Sequence, residues 1–124
     1  MRVRLIWPRG EAVMVLGTDV NASLVAEALP AGAMAHCWGD EVYFSLPVIA
    51  ELDADATDVV DPGTVCYWVE GASVAIPFGP TPVSVTDECR LVTRVNRIGM
   101  IEGDPRALAS IAEGDQLELL PVSG

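Results

Sequence analysis

Hydrophobic and polar residues alternate over several short stretches of the chain, which is the pattern of half-buried strands. Val3, Leu5 and Trp7 lie on one side of the first stretch. A turn-forming cluster at residues 8–11 separates it from a second stretch of strand pattern at 12–16. Together these two stretches predict a hairpin.

The hydrophobic period changes to that of a helix between residues 20 and 29. Val20, Leu24 and Ala28 fall on one helical face, and a proline follows the segment and ends it. A second short helix is predicted over 105–112, because a proline occupies its first position and a glycine follows its end.

Six further stretches rich in apolar, β-branched and aromatic residues predict strands at 34–38, 41–48, 64–69, 73–78, 91–101 and 116–122. The acidic, turn-rich segment 53–63 predicts a surface loop, and 79–87 predicts a long loop stiffened by two prolines. Eight short strands and two short helices predict an all-β fold, a single domain over residues 1–124 that closes as an eight-stranded barrel.

The charge of the chain bears on its partners. The net charge is −11, from 18 acidic and 7 basic residues, and all the basic residues are arginines. Such a field repels nucleic acid phosphates and anionic lipid headgroups, so neither is an expected partner. We interpret the acidic excess as a feature of overall composition. No apolar stretch is long enough for a membrane helix, and we expect a cytoplasmic protein.

Cysteine and histidine are too few, and wrongly spaced, for a metal centre. His36 is the only histidine, Cys37 adjoins it, and Cys66 and Cys89 stand alone. A structural zinc site needs about four such ligands, and an odd number of cysteines argues against a disulfide framework. We therefore predict no metal and no cofactor, and we expect Cys37 and Cys66 to act as small core residues.

Four stretches of the sequence identify a protein family more specifically than the composition does. They are residues 38–48 (WGDEVYFSLPV), 63–68 (GTVCYW), 78–84 (FGPTPVS) and 95–99 (VNRIG). Together they resemble a family of small prokaryotic cyclophilin-like proteins of unknown function, and the resemblance covers nearly the whole chain. It implies a closed eight-stranded barrel capped by helices.

The resemblance leaves two functions open. Cyclophilins isomerise X–Pro bonds with an arginine, so an enzyme similar to the peptidyl-prolyl isomerases is one alternative. Residues 100–104 (MIEGD) are similar to the cyclophilin motif M-x-Q-G-G-D, but Glu102 replaces the glutamine and one glycine is missing. Because fold alone does not give function, we favour the other interpretation, an uncharacterised binding module with a groove for a small molecule or peptide.

The candidate ligand-binding residues combine aromatic rings, a stiff loop and two charges. They are Trp38, Glu41, Tyr43, Trp68, Phe78, Pro82 and Arg97. A pocket is predicted where the strand ends carrying the two tryptophans approach the proline loop. Gly39 and Gly79 are expected to leave the backbone there open to a ligand.

Each candidate also has a purely structural interpretation. The aromatic rings could fill the barrel core, with Trp38 and Trp68 as buried plugs. Arg97 could form a surface salt bridge, and the proline loop could be only a stiff connector. His36 and Cys37 are a poor nucleophile–base pair, because neighbours in a strand point to opposite faces.

Overall fold

Ten antiparallel strands and two short helices lie within residues 1–122, which are the residues described by this computed structural model. The strands are β1 (Arg2–Trp7), β2 (Gly10–Leu16), β3 (Ala31–Met34), β4 (His36–Cys37), β5 (Glu41–Ser45), β6 (Thr57–Val60), β7 (Thr64–Trp68), β8 (Ser73–Pro77), β9 (Cys89–Glu102) and β10 (Gln116–Pro121). Helix α1 covers Val20–Glu27, and a 3₁₀ helix covers Pro105–Ser110.

One bent segment closes the sheet into a barrel. The hydrogen-bonded order is β3-β10-β1-β2-β9-β7-β8-β5-β4, and only Ala35 separates β3 from β4 along the chain. Because β3 pairs with β10 and β4 pairs with β5, this single segment holds both ends of the path. Counted as one bent strand, it completes an eight-stranded barrel, and the predicted fold is confirmed.

Strand β6 is the main departure from the predicted elements. It lies in segment 53–63, which was expected to be a surface loop, and it pairs with β9 outside the barrel path. Val60 at its end is buried. Burying β-branched side chains against β9 outweighs the acidic, turn-rich composition of the segment.

Both helices are present but shorter than predicted. Helix α1 ends at Glu27 instead of residue 29, and the 3₁₀ helix ends at Ser110 instead of residue 112. The Asp104 carboxylate accepts a hydrogen bond of 2.9 Å from the Arg106 backbone N–H and so caps the second helix. No helix within the described residues is long and apolar enough to span a membrane.

The barrel interior holds the main core. In β1, Val3, Leu5 and Trp7 are buried while Arg2 and Arg4 are exposed, which confirms the predicted alternation. The largest fully buried side chains are Tyr67, Phe44, Leu5, Met14, Ile76, Ile98, Leu108, Leu117 and Leu119.

A second and smaller core, the outer cluster, lies on the opposite face of the barrel wall. In β5, Val42 and Phe44 belong to the interior whereas Tyr43 packs against the outer cluster. Successive side chains of a strand point to opposite faces, so one strand serves both cores. The buried members of the outer cluster are Val60, Cys66, Ala75, Cys89, Leu91 and Val95.

Candidate functional site

A pocket of ≈ 200 Å³, here called the outer pocket, opens beside the outer cluster. Strand register explains its floor, because Ala75 of β8 lies between Tyr43 of β5 and Cys66 of β7. Ala75 ends at its Cβ and leaves space between its larger neighbours. The lining residues are Trp38, Glu41, Tyr43, Trp68, Ala75, Leu91, Val92 and Val95.

An irregularity in β9 builds one wall of the outer pocket. The pairing of β6 with β9 changes register, and residues 91–94 bulge out of the ladder. Leu91 and Val92 consequently both line the pocket although they are adjacent in the chain. A regular strand would place them on opposite faces. The alternation in the sequence marks Leu91 and Val95 as one face, but nothing in it signals the bulge that adds Val92.

Glu41 is a buried acid in an otherwise largely apolar pocket. Its residue exposure is only 6%, and its Oε1 has no hydrogen-bond partner within residues 1–122. Burial raises the pKa of this carboxyl to about 7, because a desolvated carboxylate is less stable than the neutral acid. Near neutral pH, Glu41 is therefore available both as a proton donor and as an anionic acceptor.

The negative charge of Glu41 affects the pKa of two cysteine thiols, Cys66 and Cys89. Burial is the main cause that raises the pKa of the Cys66 and Cys89 thiols, and the negative charge of Glu41 raises the pKa of both further. Both thiols are therefore neutral at physiological pH and do not balance the charge of an ionised Glu41.

The aromatic residues form a connected group around the pocket. Tyr43 and Trp68 meet edge to face, with ring centroids 6.2 Å apart and an interplanar angle of 87°. His36 stacks on Tyr43 with centroids 5.2 Å apart. The buried Trp68 Nε1–H has no acceptor within the described residues. A buried polar atom without a partner costs about 1–3 kcal/mol, so this donor is a second unusual feature of the pocket.

The structure brings together four of the seven residues singled out from the sequence. Trp38, Glu41, Tyr43 and Trp68 all line the outer pocket. Both tryptophans are only partly buried and lie on the outer side of the barrel wall, not inside the barrel as plugs.

The other three candidates lie elsewhere. Phe78 belongs to the barrel core, and the Arg106 guanidinium covers its ring at 5.3 Å from the centroid. Pro82 is exposed on the proline loop and does not line the pocket. Arg97 bonds to Asp55 at 3.3 Å and lines a separate, broader groove of ≈ 590 Å³.

The two glycines have a different role from the one expected. The Asp40 backbone N–H donates to the Pro80 carbonyl at 2.9 Å, so the β4–β5 turn packs directly on the proline loop. Gly39 has a φ of +60°, and a Cβ there would lie 2.9 Å from Pro82 Cδ. A Cβ on Gly79 would collide with the Asp40 carboxylate. The expectation that these glycines open the backbone to a ligand is wrong, because the chain itself fills the space.

His36 and Cys37 both contact one carboxylate. His36 Nδ1 lies 2.8 Å from Glu113 Oε2, and the Cys37 backbone N–H donates to Glu113 Oε1 at 2.9 Å. Cys37 is exposed, so the expectation that it is a core residue is wrong, whereas Cys66 is buried as expected. Cys37 lies opposite Val42, on the inner face, but it is the last residue of the two-residue strand β4 and its side chain stays exposed there, with Sγ 3.6 Å from the Ile111 carbonyl oxygen.

No three histidine, cysteine or acidic side chains within residues 1–122 converge as a set of metal ligands. The absence of a structural zinc and of a cofactor stays a prediction.

Comparisons with known proteins agree with the barrel. The sequence matches the Cyclophilin-like family over residues 1–119. It is also similar to a hypothetical protein from Archaeoglobus fulgidus whose structure was determined in solution. The two are 33% identical with a TM-score of 0.80, over 97% of this chain and 93% of that chain. A search of curated proteins finds no match. The predicted resemblance is confirmed, and the chain belongs to the cyclophilin-like family.

Proposed function

We propose that this protein is a binding module whose outer pocket takes a small, mainly apolar molecule or the side chain of a peptide. The observation that carries the proposal is the coincidence of a cavity with two buried polar atoms that lack partners, Glu41 Oε1 and Trp68 Nε1. Buried polar groups in folded proteins are nearly always hydrogen-bonded, and a ligand would complete these two.

The volume of the pocket limits the ligand. An apolar cavity of about 150 Å³ in another protein binds benzene, whereas drug-sized ligands occupy clefts of roughly 300–1,000 Å³. At ≈ 200 Å³, the outer pocket suits one ring or one branched aliphatic group. A peptide would therefore insert a single side chain.

The walls favour apolar contact with a few oriented polar groups. The floor and one wall are aliphatic, from Ala75, Leu91 and Val95, while Trp38 and Tyr43 supply aromatic surface. This mixture is typical of ligand sites, where apolar area gives affinity and a small number of polar atoms fix orientation. No arginine of residues 1–122 lines the outer pocket, so its geometry gives no support to the isomerase alternative.

Nuclear magnetic resonance with a set of small probes tests the proposal. Benzyl alcohol, cyclohexanol and benzylamine are titrated into the protein while the Ala75 methyl and Trp68 Nε1–H resonances are followed. We expect saturable shifts centred on these two groups. Trp7 is the internal reference, because it lies in the barrel core and its Nε1–H already donates to Ser110 Oγ at 2.8 Å.

Two matched variants locate the site. Val92 and Val85 are both exposed, at 60% and 64%, but only Val92 lines the outer pocket. Val92→Phe should obstruct the pocket and abolish the saturable shifts, whereas Val85→Phe should leave them unchanged. Equal effects of the two variants, or shifts scattered over the surface, would contradict the proposal.

A further inference from the structure

Glu41 is a buried acid, and it takes part in no ion pair within residues 1–122. Three nearby arginines are each engaged by another carboxylate, and Arg94, on the bulge of β9, is exposed and does not line the pocket. The pairs are Arg106 with Asp40, Arg97 with Asp55, and Arg90 with Asp58 and Glu88, while His36 Nδ1 lies against Glu113. Around Glu41, the Cys66 and Cys89 thiols and the Tyr43 hydroxyl supply no positive charge. The charges that also act on these thiols are those of Asp40 and Asp61, which are negative, and of Arg97, which is paired with Asp55.

A buried carboxylate without a counter-charge is costly, and such groups in proteins are normally paired or protonated. In the outer pocket, a ligand is the remaining source of that counter-charge. An N–H donor of positive charge would satisfy the Glu41 carboxylate with a charge-assisted hydrogen bond, which is about twice as strong as a neutral one.

The aromatic walls of the outer pocket also favour a positively charged ligand. Trp38, Tyr43 and Trp68 line it together with Glu41. Aromatic faces attract cations through the ring quadrupole, and groups of such rings are used to recognise ammonium ligands. The net charge of −11 also favours the approach of a cation over that of an anion.

We propose that the ligand of the outer pocket is an organic cation, a protonated primary or secondary amine carried on an apolar body the size of one ring. The amine N–H donates to the Glu41 carboxylate, and the apolar body lies over Ala75 between the aromatic and aliphatic walls. The Trp68 Nε1–H remains available to an acceptor oxygen on the same ligand. This inference rests on the proposed function and specifies the ligand for the same pocket.

Three probes that share one ring but differ in charge test the inference. Benzylammonium, benzyl alcohol and benzoate are titrated at about pH 8, where Glu41 is mostly ionised and benzylamine is mostly protonated. We expect benzylammonium to bind at least about tenfold more tightly than benzyl alcohol, and benzoate to bind most weakly. Glu41→Gln should reduce the preference for the cation to about threefold or less, while Glu118→Gln, at an exposed acid on β10, should preserve it.

A measurement on the unmodified protein does not depend on the folding of a variant. At about pH 6 most Glu41 is protonated, so binding of benzylammonium should release close to one proton. Calorimetry in two buffers of different ionisation enthalpy measures this release, which should decline towards zero near pH 8.

The outcomes separate this inference from the proposed function. If benzyl alcohol or benzoate binds the outer pocket as tightly as benzylammonium, the proposal of a cationic ligand is wrong, but the proposal of a binding module is still supported. If benzylammonium binds without releasing a proton at about pH 6, Glu41 is not its partner and the inference fails. If none of the three probes shifts the Ala75 and Trp68 resonances, both proposals fail.

Discussion

The barrel interior and the outer pocket share strands but differ in whether their buried polar atoms are hydrogen-bonded. Tyr67 and Trp68 are consecutive residues of β7 that face the two regions. The Tyr67 hydroxyl, fully inside, donates to the Leu46 carbonyl at 3.0 Å and accepts from the Val48 N–H at 3.2 Å. The Trp68 Nε1–H has no partner within the described residues, and the same is true of Glu41 Oε1.

This difference separates what maintains the fold from what is available for binding. In the interior, apolar packing and complete hydrogen bonding act in the same direction, which is the ordinary condition of a stable core. In the outer pocket, unpaired polar atoms lower the stability of the fold. Departures of this kind are expected at functional sites, which is why we place the ligand there and not in the larger groove beside Arg97.

The largest effect is expected from emptying the interior. Phe44 is fully buried in the main core, and Phe44→Ala should lower the free energy of unfolding by about 3–5 kcal/mol through lost apolar contacts and a new cavity. The control is Val92→Ala on the rim of the outer pocket, which should change the free energy of unfolding by about 0.5 kcal/mol or less. Urea unfolding measures both, and similar losses would mean that the two regions form one core.

The next effect concerns the cost of the Glu41 charge. The pKa of this carboxyl is raised from the ordinary 4.5 to about 7 in the folded protein, so the folded chain holds a proton that the unfolded chain has lost. The resulting stability is complete below pH 4.5 and disappears as the pH rises through about 7. Glu41→Gln removes this dependence. Relative to the wild type, the free energy of unfolding of the variant should rise by about 3 kcal/mol between pH 4 and pH 8, because raising a pKa by one pH unit corresponds to about 1.4 kcal/mol. Urea unfolding of both proteins over this pH range measures the difference.

Comparing the variant with the wild type is necessary because other acids have the opposite trend. Glu88 and Glu113 have lowered pKa values, mainly from hydrogen bonds with Arg90 and with the Cys37 backbone respectively. Their contribution to stability is lost at low pH and is common to both proteins. Glu118→Gln should follow the wild-type profile. Parallel profiles for Glu41→Gln and the wild type would show that the Glu41 carboxyl is well solvated.

Most of the barrel could be predicted from the sequence because its strands carry local signals. The alternation of β1 and the turn at Gly39 and Asp40 are each visible in a few consecutive residues. Strand β6 could not be predicted, since only its pairing with β9 makes Thr57–Val60 a strand. Its own residues include an aspartate and lie within an acidic stretch.

The outer pocket could be predicted only in part, for a related reason. Trp38 and Trp68 are candidates because each lies at a predicted strand end next to a turn. Glu41 is one because it lies between a turn and a strand, and Tyr43 because it belongs to the aromatic set. Their neighbours in the pocket depend on the bulge at residues 91–94 and on a small side chain at residue 75, neither of which has a local signal. Proximity in sequence is also a poor guide at Phe78, which begins the proline loop but turns into the core.

Removing a single tyrosine hydroxyl should have a smaller effect on stability, and the effect should differ between the barrel interior and the outer face. Tyr67→Phe removes the hydroxyl that bonds to the backbone at Leu46 and Val48, so the free energy of unfolding should fall by about 1–2 kcal/mol. The same substitution at Tyr43, whose ring lies on the outer face, should cost about 0.5 kcal/mol or less. An equal cost at both positions would show that the outer face is also closed by hydrogen bonds.

The smallest effect is expected from a charge that is exposed instead of buried. Arg97 lies on the outer face in register with Cys66, but its side chain is 50% exposed and its bond to Asp55 is 3.3 Å long. Exposed ion pairs contribute about 0–1 kcal/mol, so Arg97→Ala should hardly change stability in urea unfolding. Because Arg97 lines the other groove, the variant should also bind benzylammonium within about twofold of the wild type. A large loss of binding would mean that the groove and the outer pocket form one site, and Arg97 would then be a functional residue after all.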